Sequence, residues 1–187
     1  MRTYPLMLGM CFVCGVAIAQ EGTPTPVAEV GFNYSYFHLT TAQSAVSNQN
    51  GGSGYVEYNL NKLVGVVADF GGYANWSAGR PGSIGTTFSY LFGPRFNWRR
   101  SRVVPYVQFL FGGVDAGLNG LSGSTGRNAF ATSAGGGVDI AVTKHIAVKP
   151  LQVEYVTAQL PDVLSNRNSF QNDLRYSGGV VFRFGAK

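Results

Sequence analysis

Phe88-Ser89-Tyr90-Leu91-Phe92-Gly93-Pro94-Arg95-Phe96 is the stretch on which the fold turns. Phe88, Tyr90, Phe92 and Phe96 share one parity; Ser89, Leu91, Gly93 and Arg95 share the other. In an extended chain successive side chains point to opposite sides, so the segment presents one bulky aromatic face and one small or charged face. The same contrast recurs on both sides of it. Val30, Phe32, Tyr34 and Tyr36 oppose Gly31, Asn33 and Ser35. Val64, Val66, Ala68 and Phe70 oppose Gly65, Val67, Asp69 and Gly71. Near the end Leu174, Tyr176, Val180, Phe182 and Phe184 oppose Asp173, Arg175, Ser177, Gly179 and Arg183.

A soluble barrel buries its bulky face and wets the polar one. A membrane barrel reverses this, because lipid is the apolar phase. The composition favours the second case. Charged residues make up 12% of the 187-residue chain, well below the roughly 25% of an ordinary soluble domain. Gly reaches 26 residues, Tyr 10 and Phe 13, and no apolar run outside the N-terminus is long enough for a membrane helix. The expected fold is therefore all-β: an eight-stranded antiparallel up-and-down transmembrane β-barrel, with strands at about 29–40, 53–60, 63–73, 83–97, 103–114, 129–142, 146–157 and 173–184.

The intervening segments alternate long and short. Asn61-Lys62 and Thr143-Lys144-His145 are tight turns, whereas Ser47-Asn48-Gln49-Asn50-Gly51-Gly52-Ser53 and Asn119–Gly126 read as long Ser/Asn/Gly loops. Short periplasmic turns and longer extracellular loops are the outer-membrane pattern, and an even strand count returns both termini to the periplasmic side. Tyr34, Tyr36, Tyr73, Trp76, Tyr90, Trp98, Tyr106, Tyr155 and Tyr176 include candidates for the interfacial aromatic girdles. One strand breaks the alternation: Lys149 and Glu154 should both prefer the lumen, yet their parities differ. Pro150 lies between them and predicts a bulge that shifts register by one residue.

The N-terminus reads as an export signal. Arg2 precedes an apolar stretch from Leu6 to Ala19, and Ala17-Ile18-Ala19 has the small-x-small pattern that sets cleavage before Gln20. The expected organisation is a removed signal peptide at 1–19, a flexible leader at 20–28 containing Thr23-Pro24-Thr25-Pro26, and the barrel domain at 29–187. Both cysteines, Cys11 and Cys14, lie in the segment to be removed, which excludes disulfide and thiolate chemistry from the mature chain. That chain carries 13 basic and 9 acidic residues, a net charge of +4. The basic residues are scattered, with one cluster at Arg99, Arg100 and Arg102, so no nucleic-acid partner is expected.

An eight-stranded barrel has an interior that side chains fill. Glu57, Asp69, Arg95, Asp139, Glu154, Arg175 and Arg183 are expected to meet there as a polar network. Its functional reading is a gated ion path; its structural reading, the one taken, is a plug that orders the lumen. Some eight-stranded barrels are lipid-A-modifying acyl hydrolases or transferases, which need a nucleophile, a His base and an orienting acid. His38 stands near Ser35 and Thr40 without an acidic neighbour in that strand end, and His145 lies in a turn at the opposite end. Two histidines so placed cannot share a metal ion. Gly51-Gly52 and Gly135-Gly136-Gly137 lack the helix and Lys-Ser/Thr of a phosphate cradle. No catalytic, cofactor-binding or metal site is expected.

Five stretches carry a resemblance: Pro105-Tyr106-Val107, Gly135-Gly136-Gly137-Val138-Asp139, His145-Ile146-Ala147-Val148-Lys149, Glu154-Tyr155, and Tyr176-Ser177-Gly178-Gly179-Val180-Val181-Phe182-Arg183-Phe184. Together they resemble the small outer-membrane β-barrel superfamily that includes the transmembrane domain of outer membrane protein A. The likeness spans the mature chain and is most specific in its C-terminal third. It implies that Tyr176, Gly178, Val180, Phe182 and Phe184 form the signal read by the barrel-assembly machinery, here followed by Gly185-Ala186-Lys187. It also implies periplasmic chaperones during biogenesis, outer-membrane lipid and lipopolysaccharide as surroundings, and a monomer in the outer membrane. Members that bind peptidoglycan do so through a separate C-terminal domain, and that role is not carried over. The expected role is non-enzymatic, structural or surface-contacting through the extracellular loops. The rivals are a narrow solute or ion pore, a lipid-A-modifying enzyme, and a soluble exported barrel with a ligand cavity.

Overall fold

The computed structural model describes residues 25–40, 46–74, 84–118, 127–161 and 168–185. Eight strands run through them: β1 (Ala28–Thr40), β2 (Val46–Asn59), β3 (Val64–Ala74), β4 (Ile84–Asn97), β5 (Val103–Leu118), β6 (Arg127–Ala141), β7 (Ile146–Pro161) and β8 (Asn168–Phe184). Each pairs antiparallel with its sequence neighbour, and β1 pairs with β8, so the sheet closes on itself. Closure gives every strand edge a partner, which hydrocarbon requires of a spanning sheet.

Ala28 and Phe184 are direct partners at one end, where the turns 60–63, 98–102 and 142–145 also lie. By the pattern of outer-membrane barrels this is the periplasmic end. The other connections, 41–45, 75–83, 119–126 and 162–167, belong to the opposite end and lie outside the described residues. So do Trp76, the loop expected at Asn119–Gly126, residues 1–24, and Ala186 and Lys187.

Several strands are longer than the residue pattern suggests, β2 most of all. Ser47 to Ser53 were expected as a loop; they are strand, with Ser47 opposite Leu39 and Gly52 opposite both Tyr34 and Gly72. Their Ser/Asn/Gly composition is turn-like, but a ladder on both sides supplies hydrogen bonds that outweigh weak intrinsic β propensity. Gly51 is required there, because a Cβ at that position would collide with the carbonyl oxygen of Gly72. The leader also differs from expectation at its described end. The Val27 amide bonds to the Phe184 carbonyl at 2.9 Å and its carbonyl accepts from Asn59 at 3.0 Å, and Thr25 and Pro26 are buried.

The two faces separate along each strand. Phe32, Tyr34, Val66, Phe70, Phe88, Phe92, Phe109, Phe111, Tyr176 and Phe182 are exposed on the outside, while Asn33, Ser35, Asp69, Ser89, Arg95, Gln108, Arg175 and Arg183 are buried inside. The interior also holds small or compact apolar groups, among them Val67, Leu91, Leu110, Ala131 and Val181. At Pro150 the register shifts on both edges of β7. Val138 faces Leu151 while Ile140 faces Val148, and Lys149 faces Gly179 while Gln152 faces Ser177. One extra residue in β7 thus turns Pro150 and Leu151 outward and lets Lys149, Gln152 and Glu154 all point inward, as the conflicting parities of Lys149 and Glu154 require.

Candidate functional site in the barrel lumen

The alternation that sends aromatic rings outward leaves the remaining parity of every strand to fill the interior. From the periplasmic end upward, the charged side chains stack in layers. At the mouth, Glu29 of β1 meets Arg99 at 2.7 Å and Arg183 of β8 at 3.8 Å. Arg99 also donates to Asn59 Oδ1 at 3.1 Å. It follows β4 in a turn, yet its guanidinium reaches back into the barrel.

Arg95 forms the next layer. Its guanidinium lies 3.3 Å from Glu57 Oε2 and 2.5 Å from Asp139 Oδ2, and its Nε donates to Asn97 Oδ1 at 3.1 Å. Asn97 in turn donates to Glu57 Oε1 at 2.6 Å. The Tyr106 ring covers the face of the guanidinium, with its centroid 3.4 Å from Cζ. Planar guanidinium suits this place because it can fork toward two carboxylates while stacking on an aromatic ring.

Lys149 sits above, with Nζ 4.0 Å from the Tyr55 ring centroid and 2.9 Å from Gln152 Oε1. Gln152 also accepts from Tyr106 Oη at 2.6 Å and donates to Glu154 Oε2 at 2.7 Å. Glu154 is the hub of the upper layer. It accepts from Gln108 Nε2 at 2.8 Å, Ser133 Oγ at 3.0 Å and Arg175 Nε at 2.6 Å. Gly135 leaves room for it, since a Cβ there would press on the Glu154 side chain. Arg175 completes the layer by donating to Asp69 Oδ1 at 3.2 Å and to Tyr73 Oη at 2.6 Å. Toward the loop end neutral contacts follow, with Asn33 donating to Ser53 at 3.3 Å and the Ser35 and Ser177 hydroxyls 2.8 Å apart, and Asp173 is buried beyond them.

All seven residues singled out for the lumen are buried. Glu57, Arg95 and Asp139 come together in one layer, Asp69, Glu154 and Arg175 in another, and Arg183 at the mouth beside Glu29. The layers need further members that residue reading left out: Glu29, Arg99, Asn97, Gln108, Gln152, and the tyrosines Tyr55, Tyr73 and Tyr106. Tyr73 and Tyr106 stood among the girdle candidates; both are buried in the lumen instead. Parity contained the signal. Tyr55 shares a face with Glu57, Tyr73 with Asp69, and Tyr106 with Gln108. Tyrosine's amphipathic ring, however, suits a girdle as well as a polar core. Tyr34, Tyr36, Trp98, Tyr155 and Tyr176 do face outward, and Tyr90 is partly covered.

Chemically, the arrangement neutralises charge. Arg95, Arg99, Lys149, Arg175 and Arg183 are set against Glu29, Glu57, Asp69, Asp139 and Glu154 with the side chains packed out of contact with bulk water, and Asp173 is buried nearer the loop end. His145 is exposed in the β6–β7 turn, and the side chain of His38 lies outside the described residues. The five residues of the expected assembly signal occupy β8, with Tyr176, Val180, Phe182 and Phe184 on the outer face and Gly178 partly covered.

Comparison with known proteins agrees with this architecture. Neisserial surface protein A shares the fold at a TM-score of 0.69 and 15% identity, over 84% of this chain and 97% of that one. Ail, the attachment invasion locus protein of Yersinia pestis, superposes at a TM-score of 0.57 and 16% identity, over 86% and 99%. The N-terminal β-barrel domain of Pseudomonas aeruginosa OprF gives 0.57 and 12%, over 88% and 100%. Among curated protein sequences none matches. The family model described as the outer membrane protein beta-barrel domain matches residues 6–184. The chain therefore belongs to the outer membrane protein beta-barrel domain family, which implies an outer-membrane location.

Proposed function

We propose that this barrel is a monomeric, non-enzymatic and non-conducting outer-membrane protein that acts by surface contact through the loops at the end opposite its termini. The observation that carries the reading is the closure of the lumen. Arg95, Arg175, Glu57 and Glu154 are all about as inaccessible as side chains become, and each guanidinium is held by two carboxylates. An open ion path would leave such charges hydrated. Eight strands enclose a space that side chains fill, and once it is filled, the loops remain as the variable surface of the molecule.

Biogenesis follows from the same reading. Residues 1–19 direct export and are removed before Gln20, and periplasmic chaperones carry the chain to the outer membrane. There the assembly machinery reads Tyr176, Gly178, Val180, Phe182 and Phe184. Lipid and lipopolysaccharide then surround the apolar face. The test is electrical and is paired with a loop experiment. Purified protein in planar bilayers is expected to be silent. Replacing residues 75–83 and 119–126 by short turns is expected to abolish adhesion of expressing cells while leaving the folded barrel intact. Stepwise ohmic conductance from the wild type would overturn the closed-lumen reading, and unchanged adhesion would overturn the role of the loops.

A further inference from the structure

The three turns at the periplasmic end share one construction. In each, a short polar side chain holds the backbone. Asn61 Oδ1 accepts from the amides of Leu63 and Val64, both at 2.8 Å. Ser101 Oγ accepts from the Val103 amide at 3.2 Å. Thr143 Oγ1 accepts from the amides of His145 and Ile146 at 3.2 and 3.0 Å. The basic side chains beside them, on Lys62, Arg100, Arg102 and Lys144, are exposed. Exposed apolar groups flank every turn: Leu60 and Leu63, Trp98 and Val103, Val142 and Ile146. The carboxylates of this end, Glu29, Glu57 and Asp139, are buried inside the barrel, and among the described residues no carboxylate is exposed. Positive charge is therefore exposed around the mouth, while the carboxylates of this end are sealed within against Arg95, Arg99 and Arg183.

We propose that this rim binds the phosphate headgroups of anionic phospholipids in the periplasmic leaflet. The apolar flanks belong in hydrocarbon, and the basic residues stand one to three positions beyond them, at the depth where headgroups begin. Long Lys and Arg stems lie along apolar surface and deliver their charge to that layer. A Lys or Arg near an anionic membrane surface gains roughly fivefold in partitioning. The brevity of the turns favours lipid over a periplasmic polymer or protein, because it holds these charges close to the strand ends and so near the membrane surface. This surface lies at the end opposite the loops, so it stands or falls independently of the surface-contact role.

The full chain, folded in mixed phosphatidylcholine–phosphatidylglycerol nanodiscs, is probed with spin-labelled analogues of both lipids. The wild type is expected to hold phosphatidylglycerol over phosphatidylcholine by on the order of fivefold. Lys62→Gln/Arg100→Gln/Arg102→Gln/Lys144→Gln is expected to bring the ratio toward one, with unchanged circular dichroism and heat-modifiable gel mobility. High salt should do the same to the wild type. If the quadruple variant does not fold, the Lys62→Gln/Lys144→Gln pair and the salt titration of the wild type give the same reading. A wild-type ratio near one, or a ratio unmoved by both substitution and salt, overturns the proposal. So does charge-dependent sedimentation with purified peptidoglycan in the absence of lipid selectivity, which would assign the rim to that polymer instead.

Discussion

Leu91 and Phe92 are neighbours in β4 and chemically alike, yet Leu91 is 1% exposed and Phe92 41%. Leu91 packs inside with Val67, Leu110 and Val181. Phe92 stands outside, its ring edge-on to Phe70 with centroids 5.7 Å apart. The two positions answer to different rules. The inner face must match partners in shape and charge, because a narrow closed lumen has no solvent to compensate a misfit. The outer face need only be apolar and of suitable depth, because lipid adapts to it. Substitutions should therefore be partner-specific inside and graded by polarity outside.

The largest effect is expected inside. Arg175→Ala leaves Glu154 and Asp69 buried with their shared cation removed, which should cost about 3–5 kcal/mol, read by equilibrium urea unfolding in lipid vesicles. Replacing both Arg175 and Glu154 by Met should be less damaging than Arg175→Ala alone, since it leaves one buried carboxylate, Asp69, without its cation and not two. A double variant as unstable as the single one would break the comparison, because pairing would then not be what governs the inner face.

The outer face should be next. Phe92→Arg places a charge in lipid near the middle of β4 and is expected to cost about 2–4 kcal/mol, by the same unfolding measurement. The smallest effect belongs to Phe32→Leu. It keeps the outer face apolar but removes an edge-to-face contact with Phe182, whose centroid is 6.4 Å away at 72°. The expected loss is about 0.5–1.5 kcal/mol. A larger loss than that of Phe92→Arg would show that the outer face depends on specific packing after all.

Much of this division is readable from residue order alone. Period-two alternation in β1, β3, β4 and β8 separates the faces, and the opposed parities of Lys149 and Glu154 locate the bulge at Pro150. Partner choice is not readable. Arg95 and Asp139 are 44 residues apart and on non-adjacent strands; they meet through the width and stagger of the closed barrel, which side-chain pattern does not encode. Nor does composition reveal that Ser47 to Ser53 extend β2, since the hydrogen bonds that hold them come from β1 and β3. Arg99 was hidden for a related reason. A turn residue is ordinarily solvated, and it is Glu29, with Asn59 and Glu57 close by, that draws this one inward.

The polarity of the wall is tested most directly by nuclear Overhauser effects between lipid acyl chains and side chains of the unmodified protein in nanodiscs. Acyl-chain cross-peaks are expected to the rings of Phe88 and Phe92 and to be missing at the methyl groups of Leu91. Cross-peaks to Leu91, with the phenylalanine rings shielded from lipid, would contradict the account.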